Sequence, residues 1–240
     1  MYYPPSSRGS IIEVVRGVHL IEGINAHCYL IDGPELILID TGMPRKTKKI
    51  LHYITNTLKR NPTDLKFILL THCDIDHIGN AQELRRISGA KIATHPFDAD
   101  IIAGKKPRQT PQGVMRILFK ILGVFLQVRP FLVDEIIDNG DTIAGLTVLH
   151  LPGHTQGSIG LYDQKRKVLF IGDTLGCKNG IVQSPPKSVT WDMKQVYRSI
   201  ETLPSLHFDV MLSGHGEPIT SNASAKVKQF ITKIQENNII

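Results

Sequence analysis

The sequence predicts an α/β fold in which two sheets pack against each other and helices cover the outside. Three observations lead there. Short apolar or β-branched segments recur along the chain, separated by Gly, Asn or Gly-Pro. Segments of helical period stand between them. Strands and helices also come in two comparable sets, one in each half of the 240 residues. Sheet packed on sheet with helices outside buries the apolar faces of both sets.

The elements justify themselves in order. Ile11–Val15, Val18–Glu22, Cys28–Asp32 and Leu36–Asp40 read as antiparallel strands. Pro44 to Arg60 carries Ile50, Leu51, Ile54 and Leu58 at helical spacing. Leu65–Leu70 is a buried strand, Ala81–Ile87 a helix and Ala90–Thr94 a strand. In the second half, Thr147–Leu151, Ile159–Tyr162 and Lys167–Ile171 are strands. Met193–Leu203 is a helix with Asp192 as its N-cap. Val210–Leu212 is a short strand, and Ala223–Gln235 the last helix. Between the halves, residues 107–130 contain VMRILFKILGVFLQV (114–128), apolar almost all round and flanked by basic residues. Such a helix must bury itself, on its own domain, over an active site, in a dimer contact or at a membrane surface. It is too short and too charged to span a bilayer.

Composition narrows the function classes. The chain is 41% hydrophobic with a net charge of +6 (28 basic less 22 acidic residues), which suits a soluble core of one domain or two fused halves. No run of Lys and Arg interleaved with aromatics marks a nucleic-acid surface. Cys28, Cys73 and Cys177 lie far apart, so a disulfide framework is not expected. The start, MYYPPSSRGS, has no signal-peptide pattern, and no uncharged apolar stretch is long enough to cross a membrane. A reducing, cytoplasmic setting is expected.

The chemistry concentrates in four stretches. THCDIDHIGN (71–80) places His72, Asp74, Asp76 and His77 within six positions. LPGHTQGS holds His154, FIGDTLG holds Asp173, and LSGHGEP holds His215. Each candidate lies in a Gly-bearing turn after an apolar strand, a setting that lets several strands present side chains to one point. Imidazole and carboxylate suit zinc, iron and manganese. Singly these residues say little: Asp74 or Asp76 could simply cap the helix beginning near His77. Together they are costly to crowd without a metal.

These stretches, with LILIDTG at 36–42, resemble the metallo-β-lactamase-fold metallohydrolase superfamily over nearly the whole chain. The resemblance implies one domain, residues 1–240, folded as a four-layer αββα sandwich with a binuclear metal site along one edge and a helical insertion at about 104–130. It implies His72, Asp74 and His154 around a first metal, Asp76, His77 and His215 around a second, and Asp173 bridging them. Asp40 would orient a ligand from behind. The cofactors expected are two divalent ions, zinc first, with iron or manganese as alternatives.

One position departs from the pattern. The family usually shows His-x-His-x-Asp-His, and this chain has His-x-Asp-x-Asp-His, with Asp74 in the place of a His. A carboxylate still binds metal and prefers harder ions. The site could be a working hydrolase, a di-iron redox module or a degenerate binding site. The full ligand set favours the first, and 240 residues leave no room for the flavin domain of the redox relatives. The expected reaction is hydrolysis of an ester-type bond, a thioester or lactone, by hydroxide shared between the metals, with Asp76 accepting its proton. Phosphodiester cleavage is the alternative. The partner expected is a small molecule, with segment 114–128 available to an acyl chain or a homodimer contact.

Overall fold

The computed structural model describes residues 12–108 and 128–237. Its first sheet runs in sequence order: β1 (Ile12–Val15), β2 (Val18–Ile21), β3 (Cys28–Ile31), β4 (Leu36–Ile39), β5 (Leu65–Leu69), β6 (Lys91–Thr94) and β7 (Glu135–Ile136). The strands pair antiparallel as far as β4 and parallel from β4 to β7. The second sheet contains β8 (Thr142–Ile143), β9 (Leu146–His150), β10 (Ile159–Asp163), β11 (Val168–Gly172) and β14 (Val210–Ser213), with β14 parallel to β11 and the rest antiparallel. A small hairpin, β12 (Gly176–Lys178) and β13 (Ile181–Gln183), stands apart.

Period two explains how fully buried strands divide their side chains. In β4, Leu36 and Leu38 join the cluster under the helices α1 (Thr47–His52), α3 (Ala81–Ser88) and α4 (Pro96–Ile102). Ile37 and Ile39 enter the layer between the sheets. In β11, Val168 and Phe170 face that same layer, while Leu169 and Ile171 pack with Ile200 of α5 (Met193–Ile200) and with Val227 and Ile231 of α6 (Ala223–Glu236). Three cores separate four layers, helix, sheet, sheet and helix. Strands buried on both faces read as unbroken apolar runs such as LILI and VLFI. The expected αββα sandwich is the fold.

The details differ from expectation in ways with local causes. The segment from Pro44 is not one helix. Arg45 adopts a left-handed backbone, α1 begins only at Thr47, and a π-helical turn, Tyr53–Thr57, follows it. Residues from Met193 form α5 as far as Ile200, and Leu203–Ser205 are a separate 3₁₀ turn with Pro204 inside it. Asp192 caps α5 as expected, accepting bonds from the amides of Lys194 and Gln195. The helix expected over 114–128 lies, apart from Val128, outside the described residues. Val128 packs against the first core. No helix among the described residues is long and apolar enough to cross a membrane.

This topology has two unlike edges. The chain leaves β4, β5, β9, β11 and β14 at one edge, and all the candidate ligands follow those strands. The turns β1–β2, β3–β4 and β10–β11 meet at the other edge. There the Asp32 amide bonds to the Gly17 carbonyl at 2.8 Å, and Arg60 binds Asp32 and the Gly33 carbonyl at 2.7 and 2.9 Å.

Burial sets the scale of two expected effects. Phe170 is 1% exposed between the sheets, so Phe170→Ala should cost about 3–5 kcal/mol. Asp192→Ala should cost about 1 kcal/mol through the lost cap. Urea unfolding of both variants against the parent chain checks the order and the size.

Candidate metal centre

Four turns build the site. After β5 the chain runs through His72, Cys73 and Asp74 into the short helix α2 (Ile75–Ile78), which carries Asp76 and His77. Asp74 occupies the N-cap position of α2, yet its side chain makes no capping bond. Its Oδ2 instead lies 3.1 Å from His154 Nε2 and 3.7 Å from His72 Nε2. The capping reading therefore fails for this side chain, and Asp74 sits among the candidate ligands. Cys73, between the two, turns away into the first core. Asp76 Oδ2 lies 3.2 Å from His215 Nε2. Asp173 is central: Oδ1 is 3.4 Å from His77 Nε2, and Oδ2 is 3.4 Å from His215 Nε2 and 3.8 Å from His154 Nε2.

All seven residues singled out in the sequence come together. They form three groups, each with its ligand atoms within 4.8 Å of one another: His72, Asp74 and His154; Asp76, His77 and His215; and His72, His77 and Asp173. The turn before His215 has no room for a side chain, since a Cβ on Gly214 would fall 2.1 Å from Asp173 Oδ1 and 2.5 Å from the His77 ring.

Hydrogen bonds behind the rings decide where their lone pairs point. The Asp40 carboxylate accepts from His77 Nδ1 at 2.8 Å, which turns His77 Nε2 towards the centre. Thr71 Oγ1 donates to Asp40 at 2.7 Å and so can only accept from His72 Nδ1, 3.0 Å away. Thr190 Oγ1 donates to the Pro186 carbonyl, so it accepts from His154 Nδ1 at 3.4 Å. Three imidazoles are thus held with Nδ1 turned outward to these partners and Nε2 turned inward to the carboxylates. His72 Nε2, His77 Nε2 and Asp173 Oδ1 are buried with no hydrogen-bond partner among the described residues. Buried polar atoms that converge in this way suit a bound cation. The donor set, imidazole and carboxylate, fits a divalent transition metal.

Without metal, protons take up part of that demand. Burial pulls the His77 pKa down, but Asp173 and Asp40 outweigh it and raise it to about 9. Burial lowers and neighbouring carboxylates raise His72, with a net rise. His215 is raised chiefly by its bond to Asp76. Burial pushes Asp76 up, but the His215 bond and the charge of His77 bring it down to about 2. Asp74 is held well below the usual carboxylate range by His154 and His72, against the cost of its desolvation.

Two further features were not assigned from the sequence. His27 Nδ1 donates to the Ser213 carbonyl at 3.0 Å, which Tyr29 Oη also bonds at 2.8 Å. Together they brace the turn that carries His215. His95, Asp138 and His150 form another grouping of possible ligands. It differs from the main site in being satisfied as it stands. The Phe97 amide donates to His95 Nδ1, so Nε2 holds the proton and donates to Asp138 at 3.1 Å, while His150 Nε2 donates to the Gln156 carbonyl at 2.9 Å.

The model of the metallo-beta-lactamase superfamily matches residues 21–215. The chain belongs to that superfamily. It is 30% identical to the hydroxyacylglutathione hydrolase GloC of Haemophilus influenzae, over 70% of this chain and 76% of the relative. It is 27% identical to the acyl-coenzyme A thioesterase MBLAC2 of Bos taurus, over 89% and 81% of the two. Among solved structures, TTHA1623 in a di-iron-bound form superposes with a TM-score of 0.66 at 25% identity, covering 88% of this chain and 98% of that one. The chain is a metallo-hydrolase of this superfamily, and its His and Asp groups form a metal-binding arrangement.

The pH dependence has a definite sign. Metal competes with protons for His72, His77 and His215, whose pKa values the carboxylates raise, so apparent affinity should rise from pH 6 to pH 9. In chelator-treated protein, His77 stabilises the fold below its ordinary pKa of 6.5, and this contribution is lost as pH rises through about 9. Asp76 contributes above its ordinary 3.8, and its share is lost as pH falls towards about 2. Metal titrations, together with urea midpoints of stripped protein from pH 4 to 10, test both statements.

Proposed function

We propose that this metallo-hydrolase is a binuclear thioesterase. His72, Asp74 and His154 would hold one divalent ion, Asp76, His77 and His215 a second, and Asp173 would lie between them. The observation that carries the reading is the convergence of buried, partnerless Nε2 and Oδ1 atoms on a common centre. The thioester class is supported by GloC and MBLAC2, whose names denote acyl-thioester substrates. A lactone is the nearest alternative, since it presents the same carbonyl. Zinc is the first expectation for the ions. Iron is the second, supported by the di-iron form of TTHA1623 and by the carboxylate at position 74.

When bound, two such ions supply Lewis acidity, lowering the pKa of water and polarising the acyl carbonyl. The protein's own groups do the rest. Asp40 and Thr71 keep the Nδ1 protons of His77 and His72 facing inward, so both rings present Nε2 to the centre. Asp76, whose carboxylate stands at the centre beside His215, would accept a proton from the attacking water. It would pass that proton to the departing thiolate. Gly214 lets the His215 turn pass close to Asp173 and His77, where any side chain would collide with both.

Two measurements test the proposal. Elemental analysis of untagged, anaerobically purified protein should give close to two ions per chain. One ion or none after reconstitution would sink the binuclear reading, and two irons with a redox-active spectrum would favour the redox alternative. Asp76→Asn, assayed in enough metal to keep both sites filled, should lower kcat on an acyl-thioester by about 10²–10⁴. Near-normal turnover in that variant would remove Asp76 from the proton path.

A further inference from the structure

Asp98 is the most deeply buried carboxylate outside the ligand set, at 0% exposure. It lies on α4, in the first sheet's helix layer, and the sequence offers no motif that marks it. Its contacts are specific. Oδ2 accepts from the Cys73 amide at 2.8 Å and from Thr155 Oγ1 at 2.8 Å, and Oδ1 accepts from the Gly157 amide at 3.0 Å. Cys73 is the residue between His72 and Asp74, and Thr155 follows His154. One carboxylate therefore grips the neighbours of all three residues grouped as His72, Asp74 and His154.

The fit is close. A Cβ on Gly157 would fall 2.5 Å from Asp98 Oδ1, so only glycine lets this loop settle on the carboxylate. The other face of the same peptide segment is held too, since Arg108 donates to the Cys73 carbonyl at 3.0 Å. The group formed by Asp76, His77 and His215 has its own brace, Asp40, on His77. Among the described residues, Asp98 bonds to Cys73, Thr155 and Gly157 and to no member of that group. The labour divides in two: Asp40 fixes His77 and, through Thr71, the His72 ring, while Asp98 fixes the distance between two loops.

That distance matters because of Asp74. A carboxylate at this position is shorter than an imidazole and can meet His154 only if the loops approach closely, as the 3.1 Å separation shows they do. We propose that Asp98 is a positioning residue that sets the span between the His72–Asp74 loop and the His154 loop, and so selectively controls metal affinity in that half of the centre. The inference rests on the binuclear reading above.

The test uses zinc titration of chelator-treated full-length protein in two backgrounds. In His215→Ala the remaining tight ion belongs to the His72, Asp74 and His154 half, and adding Asp98→Asn should weaken it by about 10- to 100-fold. In His154→Ala the remaining ion belongs to the other half, and adding Asp98→Asn should leave it unchanged. Circular dichroism and urea midpoints report whether each variant folds. Should Asp98→Asn fail to fold, Thr155→Val removes one arm of the grip and should show the same selectivity on a smaller scale. Equal weakening in both backgrounds would make Asp98 merely structural, and no weakening in either would also overturn the assignment. A parent chain that binds fewer than two ions would instead sink the binuclear reading, which the paired backgrounds separate from failure of Asp98 alone.

Discussion

The molecule is organised around the carboxylate of Asp40. It is 2% exposed and accepts three bonds, from the Thr71 amide, the Thr71 hydroxyl and His77 Nδ1. Its backbone is left-handed, with φ of 58°, an uncommon conformation for a residue with a side chain. Strain of this kind persists only where the surroundings over-determine it. Here they do. Thr71 also receives the Ile159 amide on its carbonyl, a bond from the second sheet to the first. Gly172, at the end of β11, lies against the Thr71 side chain with no space for a Cβ. The seam between the sheets and the aim of two imidazoles thus depend on the same carboxylate.

Around this brace the charges are arranged to need cations. Asp74, Asp76 and Asp173 crowd four imidazoles, and without metal the carboxylates raise the proton affinity of His72, His77 and His215. The Asp at position 74 makes the two three-residue groups alike in donor type, each with two imidazoles and one carboxylate. Each group also has one member open to solvent: Asp74 is 43% and His215 48% exposed at the side chain, whereas His72, His77 and His154 are at most 1%.

Much of this was legible in the sequence because the signals are local. Apolar runs such as LILI and VLFI announce strands buried on both faces, and a Gly-bearing turn after each one marks where the chain delivers a ligand. All seven candidate ligands converge as expected for that reason. The helix from Pro44 was overestimated because side-chain period says nothing about a left-handed backbone at Arg45. Asp98 was not legible at all. Its partners lie 25, 57 and 59 positions away, and only the packing of α4 beneath both loops brings them within reach. Asp74 was legible as a residue type but not as a geometry: an N-cap and a ligand share the same place in sequence, and only the direction of the side chain separates them.

The division of the sandwich into two edges has an evolutionary reading. Every ligand turn is pinned on several sides, so an inserted residue there would displace a donor. The turns at Gly17, Asp32–Pro34 and Arg166 are tied mainly to one another, at the far ends of the same strands. A change of length there, or a spliced module, would meet these turns before it met any ligand. A fold built this way lets its accessory parts diversify at one end and keeps its reactive constellation intact at the other.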